Sequence, residues 1–489
     1  MTAGGPPSLG GKRVLVVGLG RSGTAAARLC AAQGAEVTVT DRHTAAELAA
    51  ALDKLPPGVR QELGGHKRET FLASELVVLS PGVPEIPEVR EARAAGVAIT
   101  GEMELASRFL EATIVAVTGT NGKSTTTTLC GAMLRATGYP TFVGGNLGQP
   151  LAEAVGTPAG GLGGHCVVET SSFQLETIET FHPRVAVLLN ISADHLDRYA
   201  GMAEYAAAKA RVFMAQNRGD FAVINVDDAL VVEVSAQAQS RRLGISIERK
   251  LTEGGWIEGD SLVLRLPGAS DETYPAELPG LVGRHNQQNA LASLLAARLA
   301  GATPAAARRA LLEFRPLSHR MELVAEARDV VYYDDSKGTN VGAVVAALRG
   351  FPRPVVLIAG GRDKGGDYAP LAQALDRVGH AAVLIGEAAP RIAAALKDVL
   401  PVQIAPTLQE AVAIASRLAN RGDAVVLSPA CSSYDMFRDY VHRAEVFRAA
   451  VFAVTGGRGP DGSSADQNEG DRADYPHRGE RDRKEEGSV

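Results

Sequence analysis

Along residues 13–455, short runs of Val, Leu and Ile alternate with longer Ala-rich stretches. Arg13-Val-Leu-Val-Val17, Glu36-Val-Thr-Val-Thr-Asp41 and Leu76-Val-Val-Leu-Ser80 read as strands, with an Ala-rich helix between the first two that ends near Gln33. A second series starts at Ile114-Val-Ala-Val-Thr118 and continues through 166–169, 185–189 and 222–225. A third uses 330–333, 355–359, 381–385 and 424–427. Near-continuous apolar runs of this length, separated by helical patterns, predict strands of parallel sheets with helices between them. Residues 243–274 break the rhythm with several short strand candidates close together, which predicts an antiparallel extension. Asn286 to Gly301 reads as a strong helix, and Pro316–Ser318 as a linker.

The pattern predicts an α/β chain of three domains, at 1–101, 102–316 and 317–455, which fits a length of 489 residues. Residues 456–489 differ. They hold 9 acids and 6 bases and no Leu, Ile, Phe, Met or Trp. Such a segment cannot bury enough apolar surface to offset its ordering entropy, so it is expected to be a disordered tail.

Composition narrows the function classes. Hydrophobic residues make up 45% and charged residues 22%, ordinary for a globular chain. The net charge of −6 argues against a general nucleic-acid binder, while leaving room for a local basic pocket that takes phosphates. Gly is frequent at 53 residues and aromatics are scarce at 5%, which suits tight strand-to-helix turns. Cys30, Cys130, Cys166 and Cys431 are too far apart in sequence to form a metal pair or a redox motif. They read as the reduced thiols of a cytoplasmic protein. Met1–Gly11 has no apolar core of a secretory leader, and no run of 18 apolar residues occurs, so no membrane insertion is expected. Nothing in the sequence sets an oligomeric state, and a monomer is compatible with it.

Two glycine-rich loops carry candidate chemistry. Gly18-x-Gly20-x-x-Gly23 follows a strand, and Asp41 ends the next strand. That is the dinucleotide-type fingerprint: glycines admit a phosphate close to backbone, and the helix N-terminus attracts the anion. Alone it fits NAD, another nucleotide diphosphate, or a plain tight turn. Gly119-Thr-Asn-Gly122-Lys123-Ser124-Thr125 is more specific, because a strand leads in and a helix leads out. Its N–H groups would wrap phosphates, Lys123 would neutralise their charge, and Ser124 would ligate Mg²⁺. The general phosphate-loop pattern has Gly six residues before the Lys; here that position is Val117. Glu169 ends an apolar strand, and Asn190-Ile-Ser-Ala-Asp194-His195 follows another. Both stand where α/β sheets bind ligands. Lys209 lies on the Ala-rich stretch 203–215 and, taken alone, reads as a solvated helix lysine.

Taken in order, Thr118–Thr125, Glu169-Thr-Ser-Ser-Phe-Gln, Asn190–His195, Lys209, Gly283-x-His285-Asn286-x-x-Asn289, His319-Arg320 and Asp335-Ser-Lys337-x-Thr339-Asn340 resemble the Mur ligase superfamily. These are ATP-dependent amide-bond ligases of peptidoglycan precursor synthesis. The resemblance covers about residues 10–455. The Gly18–Gly23 loop, Asp334–Asn340 and Ser428-Pro-Ala-Cys-Ser-Ser-Tyr-Asp435 are similar to the branch that adds D-glutamate to UDP-N-acetylmuramoyl-L-alanine.

The resemblance implies a Rossmann-like UDP-binding domain, a central P-loop-type ATPase domain with a mainly parallel sheet, and a Rossmann-like C-terminal domain that binds the amino acid. It implies that the substrate carboxylate attacks the γ-phosphate to give an acyl phosphate, which the amine of D-glutamate then opens with release of phosphate. By the same resemblance Gly119, Thr120, Asn121, Gly122, Lys123, Ser124 and Thr125 hold the ATP phosphates, while Asn286, Asn289, Arg320 and Asp335 take adenine and ribose. Ser124 and Glu169 hold one Mg²⁺. His195 and Lys209, carbamylated by CO₂, help hold a second. Lys123, His195 and Lys209 form the catalytic set. Arg21, Ser22, Asp41, Ser80 and Gly82 bind UDP, and Asn146 contacts the same substrate. Lys337, Thr339, Lys364, Ser433 and Tyr440 take the two carboxylates of D-glutamate. Tyr434 and Tyr440 stand where relatives carry Phe or an apolar residue, which implies a more polar pocket, and Arg42-His43 after Asp41 departs from the family run. Other amino-acid-adding Mur ligases and folylpolyglutamate synthetase are the neighbouring readings. An NAD-dependent dehydrogenase would use the first loop but has no need of Lys123, Ser124 and Lys209. The resemblance also implies a cytoplasmic ligase of cell-wall biogenesis, serving cell shape, division and the cell cycle.

Overall fold

In the computed structural model, residues 8–457 are described except 197, 279–280, 282, 316–317 and 350. The expected linker at 316–318 and the expected disorder of the tail therefore fall largely or wholly outside the described residues. Three sheets organise the chain. The first is wholly parallel, in the order Arg60–Leu63, Glu36–Asp41, Arg13–Val17, Leu76–Leu79, Ala98–Gly101. The strand order reverses at Arg13–Val17 and Leu76–Leu79, the kind of point at which loops of such sheets diverge and ligands bind. The Gly18 loop and Ser80 occupy that point.

The second sheet has nine strands. Its centre is Thr113–Thr118, flanked by His165–Glu169 on one side and Val185–Leu188 on the other, all parallel. Ile114 and Ala116 join one apolar cluster, while Val115 and Val117 join another on the opposite face. A strand buried on both faces has no use for alternating polar positions, which is why the sequence there is continuously apolar. The antiparallel extension expected at 243–274 is present as Gly254–Glu258, Ser261–Arg265 and Asp271–Pro275. Arg241–Ser246 instead pairs parallel with its neighbours.

The third sheet has six strands in the order Glu322–Ala327, Val330–Asp334, Ala424–Leu427, Val355–Gly360, Gly379–Ile385, Val402–Ile404. Only its first pair is antiparallel. Thus the α/β class and three-sheet architecture agree with the sequence reading. Helix ends differ in detail. The stretch read as a helix over 203–215 is a helix at Met202–Ala210 followed by a tighter turn at Arg211–Phe213.

By compactness the chain divides into two units. The first takes residues 1–318 with 340–351 and 364–370, and the second takes the remainder. The first two sheets fall in one unit because they share a core: Val14 and Val16 belong to the same cluster as Ile114, Ala116 and Cys166. The short helix Glu102–Ser107 lies in this joint and carries two buried glutamates. Glu104 accepts hydrogen bonds from the Glu179, Thr180 and Phe181 amides. Against the effect of burial, these bonds and those from the Thr180 hydroxyl and Arg108 hold its carboxyl below the usual range. Glu102 accepts only from the Ala152 amide, at 2.7 Å, and its second oxygen has no partner. Burial pushes its carboxyl from 4.5 up to about 7.

Linkage gives that contrast a sign. A carboxyl whose pKa rises on folding binds more protons in the folded state, so it lowers stability as pH climbs from about 4.5 to about 7. The stability of wild type minus that of Glu102→Gln is expected to fall by about 2–3 kcal/mol between pH 5 and pH 8. Chemical denaturation of both proteins across that range measures it, and a flat difference would contradict the account.

Candidate active site

The site in the first unit is built on the ends of three adjacent strands. Thr113–Thr118 runs into Gly119–Gly122, and the helix Lys123–Thr137 starts at once. Gly122 holds φ +83° as the residue before the helix, and a Cβ there would lie 2.2 Å from Asn289 Oδ1. Glycine is therefore required at this position both for its left-handed backbone and for the close seat of Asn289. The loop is shorter than the general phosphate-loop pattern, and Thr118 and Thr120 tie it to neighbouring strands. The Thr118 hydroxyl donates to Thr170 O, and the Thr120 amide donates to Asn190 O. Asn190 then clamps Asn121 from both sides: its Oδ1 accepts from the Asn121 amide at 2.8 Å, and its Nδ2 donates to Asn121 O at 3.1 Å. Sequence reasoning quoted Asn190 in a motif without giving it this role. Its position directly after a strand was the available signal.

Two lysines meet at this loop. Lys123 Nζ donates to Gly119 O at 2.9 Å and to Thr120 O at 2.7 Å. Lys209 Nζ donates to the same Gly119 O at 2.8 Å and sits 4.6 Å from the centre of the Tyr205 ring. Lys209 is 1% exposed, so the solvated-helix reading of this residue in isolation is corrected: the helix turns it into the protein. Burial, and next the charge of Lys123, hold its ammonium well below its ordinary value, against the opposing pull of Asp194 and Glu169.

Glu169 ends the strand beside the loop and is 3% exposed. The Ser124 hydroxyl donates to its Oε2 at 2.6 Å, and Asn146 Nδ2 donates to its Oε1 at 2.8 Å. Asn146, assigned from sequence to the substrate, thus also orients this carboxylate. His195 has a left-handed backbone at φ +55°, uncommon for a residue other than glycine. Its ring meets Phe173 edge-on with centroids 4.8 Å apart, and its Nε2 lies 3.7 Å from Asp194 Oδ2. Burial is the main cause that lowers its pKa and favours the neutral ring, the form that binds metals. Asp194 is held below its usual range by Lys364 and His195 despite burial. On the helix Arg284–Leu299, Asn289 Nδ2 donates to Asn286 Oδ1 at 3.1 Å, and the Asn289 amide lies beside Gly122.

The first sheet builds a second part of this unit. A Cβ on Gly23 would lie 1.7 Å from Gly18 O, so only glycine fits the close turn. Ser80 Oγ donates to Gly18 O at 2.7 Å. Asp41 Oδ2 accepts from the Leu19 amide at 2.7 Å, while its Oδ1 takes the His43 amide and ring. Burial opposes ionisation of Asp41, and those amide bonds outweigh it. Arg21 and Ser22 open the helix Arg21–Ala32, and Arg21 reaches Gly148 O at 3.1 Å. Gly82 lies in the exposed turn after Ser80.

In the second unit the ends of Val330–Asp334 and Ala424–Leu427 carry the remaining predicted residues. The buried Asp335 accepts from the Ser428 hydroxyl. Burial pushes its carboxyl up to about 7, against Ser428 and Arg320. Lys337 Nζ lies 3.8 Å from the centre of the Tyr440 ring, which assigns Tyr440 a face for a cation as well as a hydroxyl. Thr339 follows in the same loop, and the buried Ser433 closes a turn by accepting from the Phe437 amide through its backbone oxygen. Tyr434 is 67% exposed. Arg443, which sequence reasoning passed over, is fully buried and donates to Ser336 O and Cys431 O, joining the two loops. Lys364, grouped from sequence with this set, instead pairs with Asp194 in the first unit at 3.1 Å. Among the described residues the group of His, Cys, Asp and Glu with clustered ligand atoms is His319, Glu322 and Asp334. Its members are engaged with protein: His319 Nδ1 with Asp334 at 2.7 Å, and Glu322 with the His319 amide and Arg448. It differs from the metal set read from sequence. All four cysteines are buried free thiols.

Comparison with known proteins agrees across the whole body. A model described as the Mur ligase MurD-like N-terminal domain matches residues 12–101, the Mur ligase middle domain matches 117–297, and the Mur ligase glutamate ligase domain matches 319–431. The UDP-N-acetylmuramoylalanine--D-glutamate ligase of Geotalea daltonii is 50% identical over 91% of this chain and 98% of its own. That of Geotalea uraniireducens is 48% identical over 92% and 99%. Among solved structures, a pseudomurein peptide ligase type C from Methanothermus fervidus is similar in fold, with TM-score 0.58 at 18% identity over 91% of this chain and 100% of that one. No helix among the described residues is long and apolar enough to cross a membrane.

Replacing Lys123 with Ala removes a half-buried ammonium while the Asn190 clamp and the Thr118 hydroxyl bond that brace the loop remain, so the fold should persist. Loss of such a preorganised cation is expected to lower ATP-dependent turnover by about 10²–10³-fold. Rate and melting temperature measured together check this, and wild-type turnover by the folded variant would remove the loop from the phosphate site.

Proposed function

Because the chain belongs to the Mur ligase family, we propose that Lys123, Ser124, Glu169, His195 and Lys209 carry out the ATP-dependent addition of D-glutamate to UDP-N-acetylmuramoyl-L-alanine. That activity, a step of peptidoglycan precursor synthesis, follows from near 50% identity to D-glutamate ligases over nine-tenths of the chain. What carries the residue assignment is the convergence of Lys123 and Lys209 on Gly119 O beside the Ser124–Glu169 pair.

The chemistry must bring an anionic carboxylate to an anionic triphosphate. Lys123, at the start of a helix and within a loop of N–H groups, draws charge off the β- and γ-phosphates. Ser124 Oγ and Glu169 Oε2, 2.6 Å apart, are hard oxygen donors of the kind Mg²⁺ takes, and Asn146 fixes the carboxylate that would hold it. Bound there, Mg²⁺ would supply charge screening between the two reacting anions. Asn286, Asn289, Arg320 and Asp335 serve adenine and ribose. Arg21, Ser22, Asp41, Ser80 and Gly82 serve UDP, with Asp41 acting by bracing the Gly18 loop. The same reading gives Lys337, Thr339, Lys364, Ser433 and Tyr440 to the carboxylates of D-glutamate, anions that take charged and polar donors. The domain limits 1–101, 102–316 and 317–455 follow the same reading, as does a cytoplasmic location.

Lys209 acts as a carbamate in this scheme. A buried amine shifted toward neutrality is the nucleophilic form: its lone pair attacks CO₂, an N–C bond forms, and one proton leaves to solvent. The product is an anionic oxygen donor in place of a cation beside Lys123, and with His195 it would serve a second Mg²⁺. A free ammonium there would repel that ion.

The test has two arms. ADP release with UDP-N-acetylmuramoyl-L-alanine across an amino-acid panel is expected only with D-glutamate, and preference for another amino acid would reassign the branch. Lys209→Ala is expected to lose at least about 100-fold in rate, with partial recovery on adding a short carboxylic acid. ¹³C-labelled bicarbonate should give a carbamate carbon signal in wild type and none in the variant. A Lys209→Ala enzyme as active as wild type would refute the carbamate.

A further inference from the structure

Asp194 precedes His195 in the loop after the strand Val185–Leu188. Its side chain is 8% exposed. Lys364 Nζ donates to its Oδ1 at 3.1 Å, and Asn340 Nδ2 donates to its Oδ2 at 3.2 Å. The His195 amide also donates to Oδ1, at 3.0 Å. Asn340 in turn caps the helix Val341–Leu348 by accepting from the Ala343 amide, and its Nδ2 reaches Asn121 Oδ1 at 3.2 Å. Asn121 is the phosphate-loop residue that Asn190 clamps. One carboxylate therefore touches a lysine from the segment 364–370, a helix cap from 340–351 and the loop that carries His195, all within the first unit.

We infer that Asp194 is a positioning residue that holds the Lys364 ammonium for the carboxylate of D-glutamate. The inference rests on the role proposed above for Lys364. A lysine on its four-carbon stem samples many rotamers unless something holds its head. An ammonium has three donors, so a single contact to Asp194 Oδ1 leaves two for a substrate anion. The pairing also keeps an anionic Asp194 from facing the anionic substrate bare. A residue that only stabilised its own loop would affect ATP and D-glutamate alike. A residue that aims Lys364 affects D-glutamate first.

Steady-state kinetics of the full-length enzyme and of Asp194→Asn, Asp194→Glu, Lys364→Met and the Asp194→Asn/Lys364→Met double variant separate these cases. Asp194→Asn is expected to raise KM for D-glutamate about tenfold or more, with KM for ATP within about twofold of wild type. Asp194→Glu keeps the charge, displaced by one methylene, and should fall between the two. Adding Asp194→Asn to Lys364→Met should cost under about twofold further, because residues acting through one contact are not additive. Equal rises in both KM values, or a double variant whose effects multiply, would overturn the inference. Should Asp194→Asn not fold, Asp194→Glu decides by the same criterion: a selective rise supports it and equal rises overturn it. If Lys364→Met itself leaves KM for D-glutamate unchanged, the role of Lys364 fails and the inference fails with it. If Lys364→Met raises that KM and the Asp194 variants do not, only the positioning role fails.

Discussion

Two ammonium groups, those of Lys123 and Lys209, share one carbonyl oxygen, that of Gly119. Buried like charges repel strongly, and the protein must surround them with compensation or shift one to its neutral form. Both occur. Glu169 and Asp194 supply negative charge close by, and burial drives Lys209 toward the neutral amine. The Tyr205 ring also packs against the Lys209 ammonium. The carbamate proposed for Lys209 removes that repulsion and leaves Lys123 as the cation for an incoming triphosphate. The surrounding hydrogen bonds, from the Asn190 clamp to the Asn146–Glu169 contact, hold the loop in a shape that phosphates do not have to induce.

Parallel sheets explain why these groups meet. Every strand of such a sheet ends on the same edge, so loops from strands distant in sequence converge there. Glu169 and Asn190 flank the phosphate loop because their strands pair with Thr113–Thr118 on either side. The first sheet repeats the device with Gly18 and Ser80, and the third with Asp335 and Ser428. In the third, Arg443 makes the join by bonding backbone carbonyls of two loops, and its burial, which lowers its pKa to about 10, is the cost of that join.

Much of this was legible in the chain itself. Apolar runs announced the central strands of all three sheets, because burial on both faces leaves few polar positions to confuse the pattern. Short edge strands such as Arg60–Leu63 and Val402–Ile404 were not legible, since their residues are mostly exposed and carry no apolar signature. The turn at Gly119–Gly122 could be read because its shape depends on local backbone: glycine at positive φ after a strand, with a helix starting at once.

Lys209 could not be read that way. Whether a helix lysine meets solvent or a carbonyl depends on which face its helix buries, and that is settled by packing, not by spacing. The partners of Lys364, Asn146 and Asp194 belong to the same class. Lys364 and Asp194 are separated by 170 residues, and no local rule relates them. The sequence by itself determined strand identity, the glycine-dependent turns and the inventory of charged groups, all consequences of short-range sterics and hydrophobic patterning. Only the tertiary structure decided which charges are buried, which are paired and which carboxylate holds which lysine, because desolvation and Coulomb energies depend on distances through space.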